Sequence, residues 1–233
     1  TKDSLQGRVN DVNPVAVPTV TDANNNGIKD SDEAAIKDAL DKVKAAEDAE
    51  KAAEKALADA NADGIISQAE ADAIAALNDT VNSTKAAADA AVKALPEGTT
   101  DGTNTKDSLQ GRVNDVNPVA VPTVTDANNN GIKDSDEAAI ASALEKVKAA
   151  EDAEKAAEKA LADANADGII SQAEADAIAA LNDTVNSTKA AADAAVKALP
   201  EGTTDGTNTK DSLQGRVNDV NPVAVPTVTD ANN

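Results

Sequence analysis

The run TKDSLQGRVNDVNPVAVPTVTDANN begins at Thr1, again at Thr105 and again at Thr209, so the 233-residue chain is built on a period of 104. A fixed period decides the architecture before any single residue does, because each copy must fold into the same unit. The first two copies differ only at Lys37/Ala141, Asp38/Ser142 and Asp41/Glu145. Copies this alike fill space by number, whereas an enzyme needs one site that differs from its surroundings. The pattern predicts a protein whose product is reach rather than chemistry.

The residue types narrow the possibilities further. The sequence contains no Phe, Trp, Tyr, His, Cys or Met. That removes the imidazole base, the thiolate nucleophile, the disulfide and the usual zinc ligands, and the chain is expected not to be an enzyme. With 42 acidic against 21 basic residues the net charge is −21. Nucleic acid and anionic membrane surfaces should repel such a chain, and cations are the implied partners. No apolar run approaches the roughly 20 residues that cross a bilayer, so no direct membrane insertion is expected. No signal peptide opens the sequence, which reads as an excerpt from a longer protein. A zero cysteine count is compatible with an extracellular location.

One period from residue 22 to 125 holds 18 Leu, Ile and Val, and the rest of its apolar content is Ala. Each large side chain buried contributes about 1.5–3 kcal/mol, against about 1.5 kcal/mol of ordering entropy per residue. A unit with so small a core should be marginal alone, and something besides apolar burial must help it fold.

Three helices are predicted in each period. Over residues 3–12, Leu5, Val9 and Val12 share one face of a short amphipathic helix, which Gly7 weakens by about 1 kcal/mol relative to Ala. Pro14 and Pro18 then bracket Val-rich sequence that must be extended, a stiff connector. From Ser31 to Ala58, Ile36, Leu40, Val43, Ala46, Ala49, Ala53 and Leu57 recur at helical spacing, giving a helix of about 40 Å. Residues 67–95 do the same through Ile74, Leu77, Val81, Thr84, Ala88, Ala91 and Leu95, until Pro96 stops them. Matched length and one short loop predict an antiparallel hairpin capped by the short helix. The fold class expected is therefore all-α, tandem three-helix bundles joined by extended Pro/Val linkers. The order hairpin then short helix is favoured, because the Gly/Thr-rich loop after Pro96 suits a turn within a bundle. On that frame residues 1–21 belong to a preceding unit, 22–125 and 126–229 are repeat units, and 230–233 begin a third. Charge-dense stretches such as EDAEKAAEK, residues 47–55, read as solvated helix surface.

Two loops per period carry a metal pattern. The loop between the long helices reads DANADGIISQAE and fits the EF-hand template. Asp59, Asn61, Asp63, the Ile65 carbonyl, Ser67 and Glu70 occupy its ligand positions, with Gly64 at the bend and Ile66 at the apolar position; the second copy is Asp163, Asn165, Asp167, Ile169, Ser171 and Glu174. A tight loop turns alternate side chains inward, so six or seven hard oxygens meet, which suits calcium. The competing reading is an ordinary turn in which Ser67 and Glu70 form a capping box. The other loop, DANNNGIKDSDE, offers Asp22, Asn24, Asn26, the Ile28 carbonyl, Asp30 and Glu33, and in its second copy Asp126, Asn128, Asn130, Ile132, Asp134 and Glu137. It departs from the EF-hand pattern in having Lys29 at the eighth position and an extended entry. It looks more like the DxDxDGxxDxxD calcium loops of thrombospondin type 3 and related bacterial repeats. The competing reading here is an Asn-rich turn in which Asp30 or Ser31 caps the helix. Only Asp230 and Asn232 of a third such loop are present, too few to hold an ion. About two calcium ions per unit are expected, bound at the weak end of the range, about 10⁻⁵ to 10⁻³ M.

The segments VPTVTDANNNGIKDSDEAAI, ALADANADGIISQAEADAIAALN and DSLQGRVNDV resemble the GA-like helical repeats of giant biofilm-associated and type I-secreted adhesins of Gram-negative bacteria. The resemblance covers essentially the whole chain. It implies a bacterial cell-surface location, tandem copies in series, and adhesion performed by other domains. The expectation is a calcium-stabilised stalk in cell adhesion and biofilm formation, monomeric, with calcium ions and neighbouring repeats as partners. The alternative is a host-protein-binding module of the albumin type, against which stands the lack of an aromatic or Met anchor. A calcium sensor would need paired EF-hands and a Met-rich groove, and neither is present.

Overall fold

The computed structural model describes residues 1–229; the partial third loop and third unit expected at 230–233 lie outside the described residues. Seven helices occur among them: α1 (Lys2–Asn10), α2 (Asp30–Ala60), α3 (Gln68–Ala94), α4 (Lys106–Asp115), α5 (Asp134–Ala164), α6 (Gln172–Lys197) and α7 (Lys210–Asp219). The all-α class and the tandem bundles are as the periodicity predicts.

Residue packing divides the chain into two compact units. One comprises Thr1–Leu57 with Ala73–Val121, and the other Ala58–Asp72 with everything from Pro122 onward. In the first unit, Ile36, Ala39, Val43, Ala46 and Ala53 of α2 form one core with Val81, Ala88 and Val92 of α3, Leu95, Leu109 and Val113 of α4, and Val116. The corresponding core of the second unit joins α5, α6 and α7 through Ile140, Val147, Val185, Val196, Leu213 and Val217. The short helix therefore covers the hairpin that precedes it in sequence, the order that the loop composition favours.

The seam has a finer period than the sequence suggested. Along α2 the buried positions are Ile36, Ala39, Val43, Ala46, Ala53 and Ala60, alternating by three and four as in a coiled-coil seam. Small Ala side chains let the two helix backbones approach closely, so a thin core still excludes water. On α3 the same spacing runs through Ala71, Ile74, Asn78, Val81, Ala88, Val92 and Leu95. Three places in the two seams are polar instead: Glu50 on α2, and Asn78 and Lys85 on α3.

All three are bound to the chain that follows α4. Asn78 donates to the Val119 carbonyl at 2.7 Å and accepts from the Val119 N–H at 2.9 Å. Lys85 donates to the Val116 carbonyl, and Glu50 accepts from the Asn117 N–H at 2.7 Å. A Pro-bracketed segment cannot pair in a ladder, so side chains from the hairpin satisfy its backbone instead. Arg112 of α4 forks onto Glu47 at 2.7 and 2.8 Å. That bond holds the Glu47 carboxyl below its ordinary value and the Arg112 guanidinium above its own. EDAEKAAEK is thus not merely solvated surface: two of its glutamates hold the short helix and the linker. Among the described residues, no buried side-chain nitrogen or oxygen lacks a hydrogen-bond partner, and no helix is long and apolar enough to cross a membrane.

Candidate calcium loops

The Asn-rich loop sits where the extended linker enters a long helix. In the copy at 126–137, the Asp134 N–H donates to the Thr125 carbonyl at 2.8 Å and closes the loop. Gly131 lies at φ +82° and Asn129 at φ +58°, the left-handed conformations that glycine and asparagine adopt at least cost. This winding turns the loop's polar side chains toward one another. The Asp126 carboxylate accepts from the N–H groups of Asn130 at 3.1 Å and Gly131 at 2.8 Å. Asn128 donates to both Glu137 oxygens at 3.3 and 3.1 Å, and Asn130 donates to the same carboxylate. Asp134 accepts from the Ala127 N–H at 3.1 Å.

The side chains at loop positions 3, 5 and 12 therefore converge, with those at 1 and 9 held on loop backbone. Asp134 and Ser135 do not cap α5; its N-cap is Lys133, which makes no side-chain cap bond. The copy at 22–33 repeats this arrangement. Asn24 and Asn26 donate to Glu33, Asp22 accepts from the Asn26 and Gly27 N–H groups, and Asp30 accepts from the Ala23 N–H.

The EF-hand-like loop behaves differently. In the copy at 163–174, Asp163 is paired with Lys159 at 2.7 Å. Asn165 donates back to the Leu161 carbonyl at 2.8 Å, and Asp167 accepts from the Ile169 N–H at 2.9 Å. Glu174 is taken up by a capping box with Ser171, accepting from its N–H at 2.9 Å and its hydroxyl at 2.7 Å. In the copy at 59–70, Glu70 is bound to Ser67 and Asp63 to the Ile65 N–H in the same way. Gly64 and Gly168 both hold φ +74°, the bend the template requires. The structure thus gathers the predicted ligands of the Asn-rich loops and spends those of the EF-hand-like loops on local bonds.

Among the described residues no three carboxylates, imidazoles or thiolates gather at one point. What converges is a carboxylate with two amides. Such a donor set fits a weakly bound hard cation: every side chain offers oxygen, and an Asn amide presents either its oxygen or its nitrogen on a half turn.

A family model for GA-like domains matches residues 1–31, 36–135 and 140–233. The chain belongs to the GA-like domain family. No match was found among curated proteins or among solved structures. Each of the two longer GA-like matches spans a hairpin, its short helix and the linker beyond it.

Sequence reasoning missed that the two loop types touch. Ser67 and Asp126 form an isolated parallel bridge. The Ile66 carbonyl accepts from the Thr125 and Asp126 N–H groups at 2.8 and 2.9 Å, and the Ile66 N–H donates to the Thr125 hydroxyl at 2.8 Å. The first turn of α3 has amide hydrogens with no partner inside the helix. Two of these are taken by the adjoining loop: Gln68 N–H by the Asp126 carbonyl at 3.1 Å, and Ala69 N–H by Asn129 Oδ1 at 2.9 Å. Asn129 stands at loop position 4, outside the ligand pattern, and this bond accounts for an asparagine there. Thr229 meets Ile170 with the same pair of bonds, at 2.9 and 2.7 Å. The repeat of 104 was the available signal, since a contact between residues 59 apart recurs only if both partners do.

Proposed function

We propose that this chain is a non-catalytic, calcium-stabilised stalk segment of a bacterial cell-surface adhesin, acting outside the cell. The observation that carries the reading is the gathering of Asn128, Asn130 and Glu137 at alternate loop positions, between linker and long helix, with Asn24, Asn26 and Glu33 repeating it. Asp126, Asn128, Asn130, the Ile132 carbonyl, Asp134 and Glu137 would hold the ion. When bound, it supplies a positive centre that relieves the crowding of acidic groups in a chain of net charge −21.

The EF-hand-like loops are the weaker sites in this proposal. An ion there has to draw Glu174 from Ser171 and Asp163 from Lys159 before it gains either ligand. The four loops should therefore fill in two stages, the Asn-rich pair first. At calcium ten times its dissociation constant each occupied site adds about 1.4 kcal/mol of stability, which matters to bundles cored by Ala and Val. GA-like family membership, near-identical repeats and the absence of Cys and His support the stalk role and the extracellular setting.

Calorimetric titration of calcium into the whole chain tests the site, with melting followed in parallel. The expected result is binding heat together with a melting temperature that rises with calcium. Glu33→Gln with Glu137→Gln should remove the first stage. No heat and a melting curve indifferent to metal would refute the calcium reading.

A further inference from the structure

Residues 1–36 repeat residues 105–140 without a change, yet the two copies of the short helix meet different surroundings. Leu109, Val113 and Val116 are 0, 1 and 1% exposed, whereas Leu5, Val9 and Val12 are 62, 65 and 76% exposed. The linker valines follow suit: Val15 and Val17 are both 90% exposed. The same residues therefore present an apolar stripe over some twenty residues that nothing in this structure covers, rimmed by Arg8 and by an unpaired extended backbone.

What covers such a stripe is seen twice in the molecule. The α4 segment lies in the groove between α2 and α3, and the α7 segment between α5 and α6. The polar contacts agree in both places. Arg112 and Arg216 fork onto Glu47 and Glu151, and Lys85 and Lys189 donate to the carbonyls of Val116 and Val220. Asn78 and Asn182 bind the backbone of Val119 and Val223.

We propose that residues 1–20 are a docking surface for one kind of partner, an antiparallel helical hairpin of this repeat's own sequence whose groove is open. In that complex Leu5, Val9 and Val12 fill the Ala-lined seam, and Arg8 pairs with the hairpin's glutamate. Its lysine takes the Val12 carbonyl and its asparagine takes Val15. The proposal is independent of calcium. Both hairpins of this chain already hold a short helix, so a second copy accepts α1 only where its own helix has been displaced.

The test uses full-length chains. An acceptor carrying Leu213→Asp and Val217→Asp opens the α5–α6 groove, and Leu5→Asp with Val9→Asp removes its own donor. Mixed with the unaltered chain, it should double in sedimenting mass; a donor that itself carries Leu5→Asp and Val9→Asp should leave both as monomers. Monomers in the first mixture, with α5 and α6 intact by circular dichroism, would overturn the proposal. Should the aspartates melt the hairpin, Leu213→Ala serves as the acceptor and cross-linking as the readout, since the chain has no cysteine. Arg8→Cys on the donor should then form a disulfide faster with Glu151→Cys than with Asp152→Cys, and equal rates would count as refutation.

Discussion

Helices α1 and α4 have the same residues and different fates. In α4, Thr105 accepts from the Ser108 N–H and completes a capping box, and two side chains of the helix are fully buried. In α1, Thr1 makes no side-chain cap bond and no residue is buried. A helix of about ten residues is marginal in water whatever its sequence. What separates the two is the hairpin under α4, which adds apolar burial, a bidentate ion pair and partners for the linker backbone. The comparison teaches that the short helix is an insert for a groove rather than an independent element.

Substituting both copies identically sharpens that contrast. The largest difference is expected for Leu109→Ala against Leu5→Ala. The first should leave a cavity costing about 2–5 kcal/mol, and the second should stay within about 0.5 kcal/mol, both by urea denaturation followed by circular dichroism. Equal losses would break the comparison. Asn78→Ala comes next: it strands the Val119 N–H and carbonyl and should cost about 1–3 kcal/mol in the same measurement.

Thr125→Val removes the hydroxyl that accepts from the Ile66 N–H and should cost about 1 kcal/mol. Thr21→Val, at the equivalent place in the exposed copy, should change little. Native-state hydrogen exchange at the Ile66 amide checks the same bond directly, with faster exchange expected only for Thr125→Val.

Acid should loosen the short helix of the covered copies and leave α1 untouched. The Arg112 fork lowers the folded Glu47 carboxyl, so the unfolded chain binds the proton more readily than the folded one. That stability is present above the ordinary Glu value, about 4.3, and is lost as pH falls through the lowered folded value. Melting at stepped pH should show this slope, and Glu47→Gln should remove part of it. The smallest effect is expected from making the first hairpin match the second, with Lys37→Ala, Asp38→Ser and Asp41→Glu. This deletes the exposed pairs Lys37–Asp41 and Lys42–Asp38, and exposed pairs of this kind contribute little; no measurable change in melting temperature is expected.

Much of the hairpin was legible because its signals are local. Ile36, Val43 and Ala53, like Ile74, Val81 and Ala88, recur at helical spacing, and Pro96 ends its helix where proline must. The roles of Glu47, Glu50, Asn78 and Lys85 were not legible. Each looks like ordinary surface polarity on its own helix, and each is explained by a backbone or guanidinium group 31 to 67 residues away. At the candidate sites, the ligand types and spacing of all four loops could be read directly. Which loop gathers its ligands could not, because the capping box at Ser171 and the Lys159–Asp163 pair compete for the same oxygens that the EF-hand template assigns to a metal.

The linear order of residues was enough to settle that this protein is a tandem array of Ala-seamed helical hairpins, without aromatic, thiol or imidazole chemistry, since periodicity and absence are properties of the chain itself. Only the tertiary structure decided which copy of an identical segment is buried, where the polar seam residues are spent, and that the tip of one hairpin holds the loop of the next repeat. Burial and hydrogen-bond satisfaction belong to pairs of distant groups, and two identical segments differ in nothing except what lies against them.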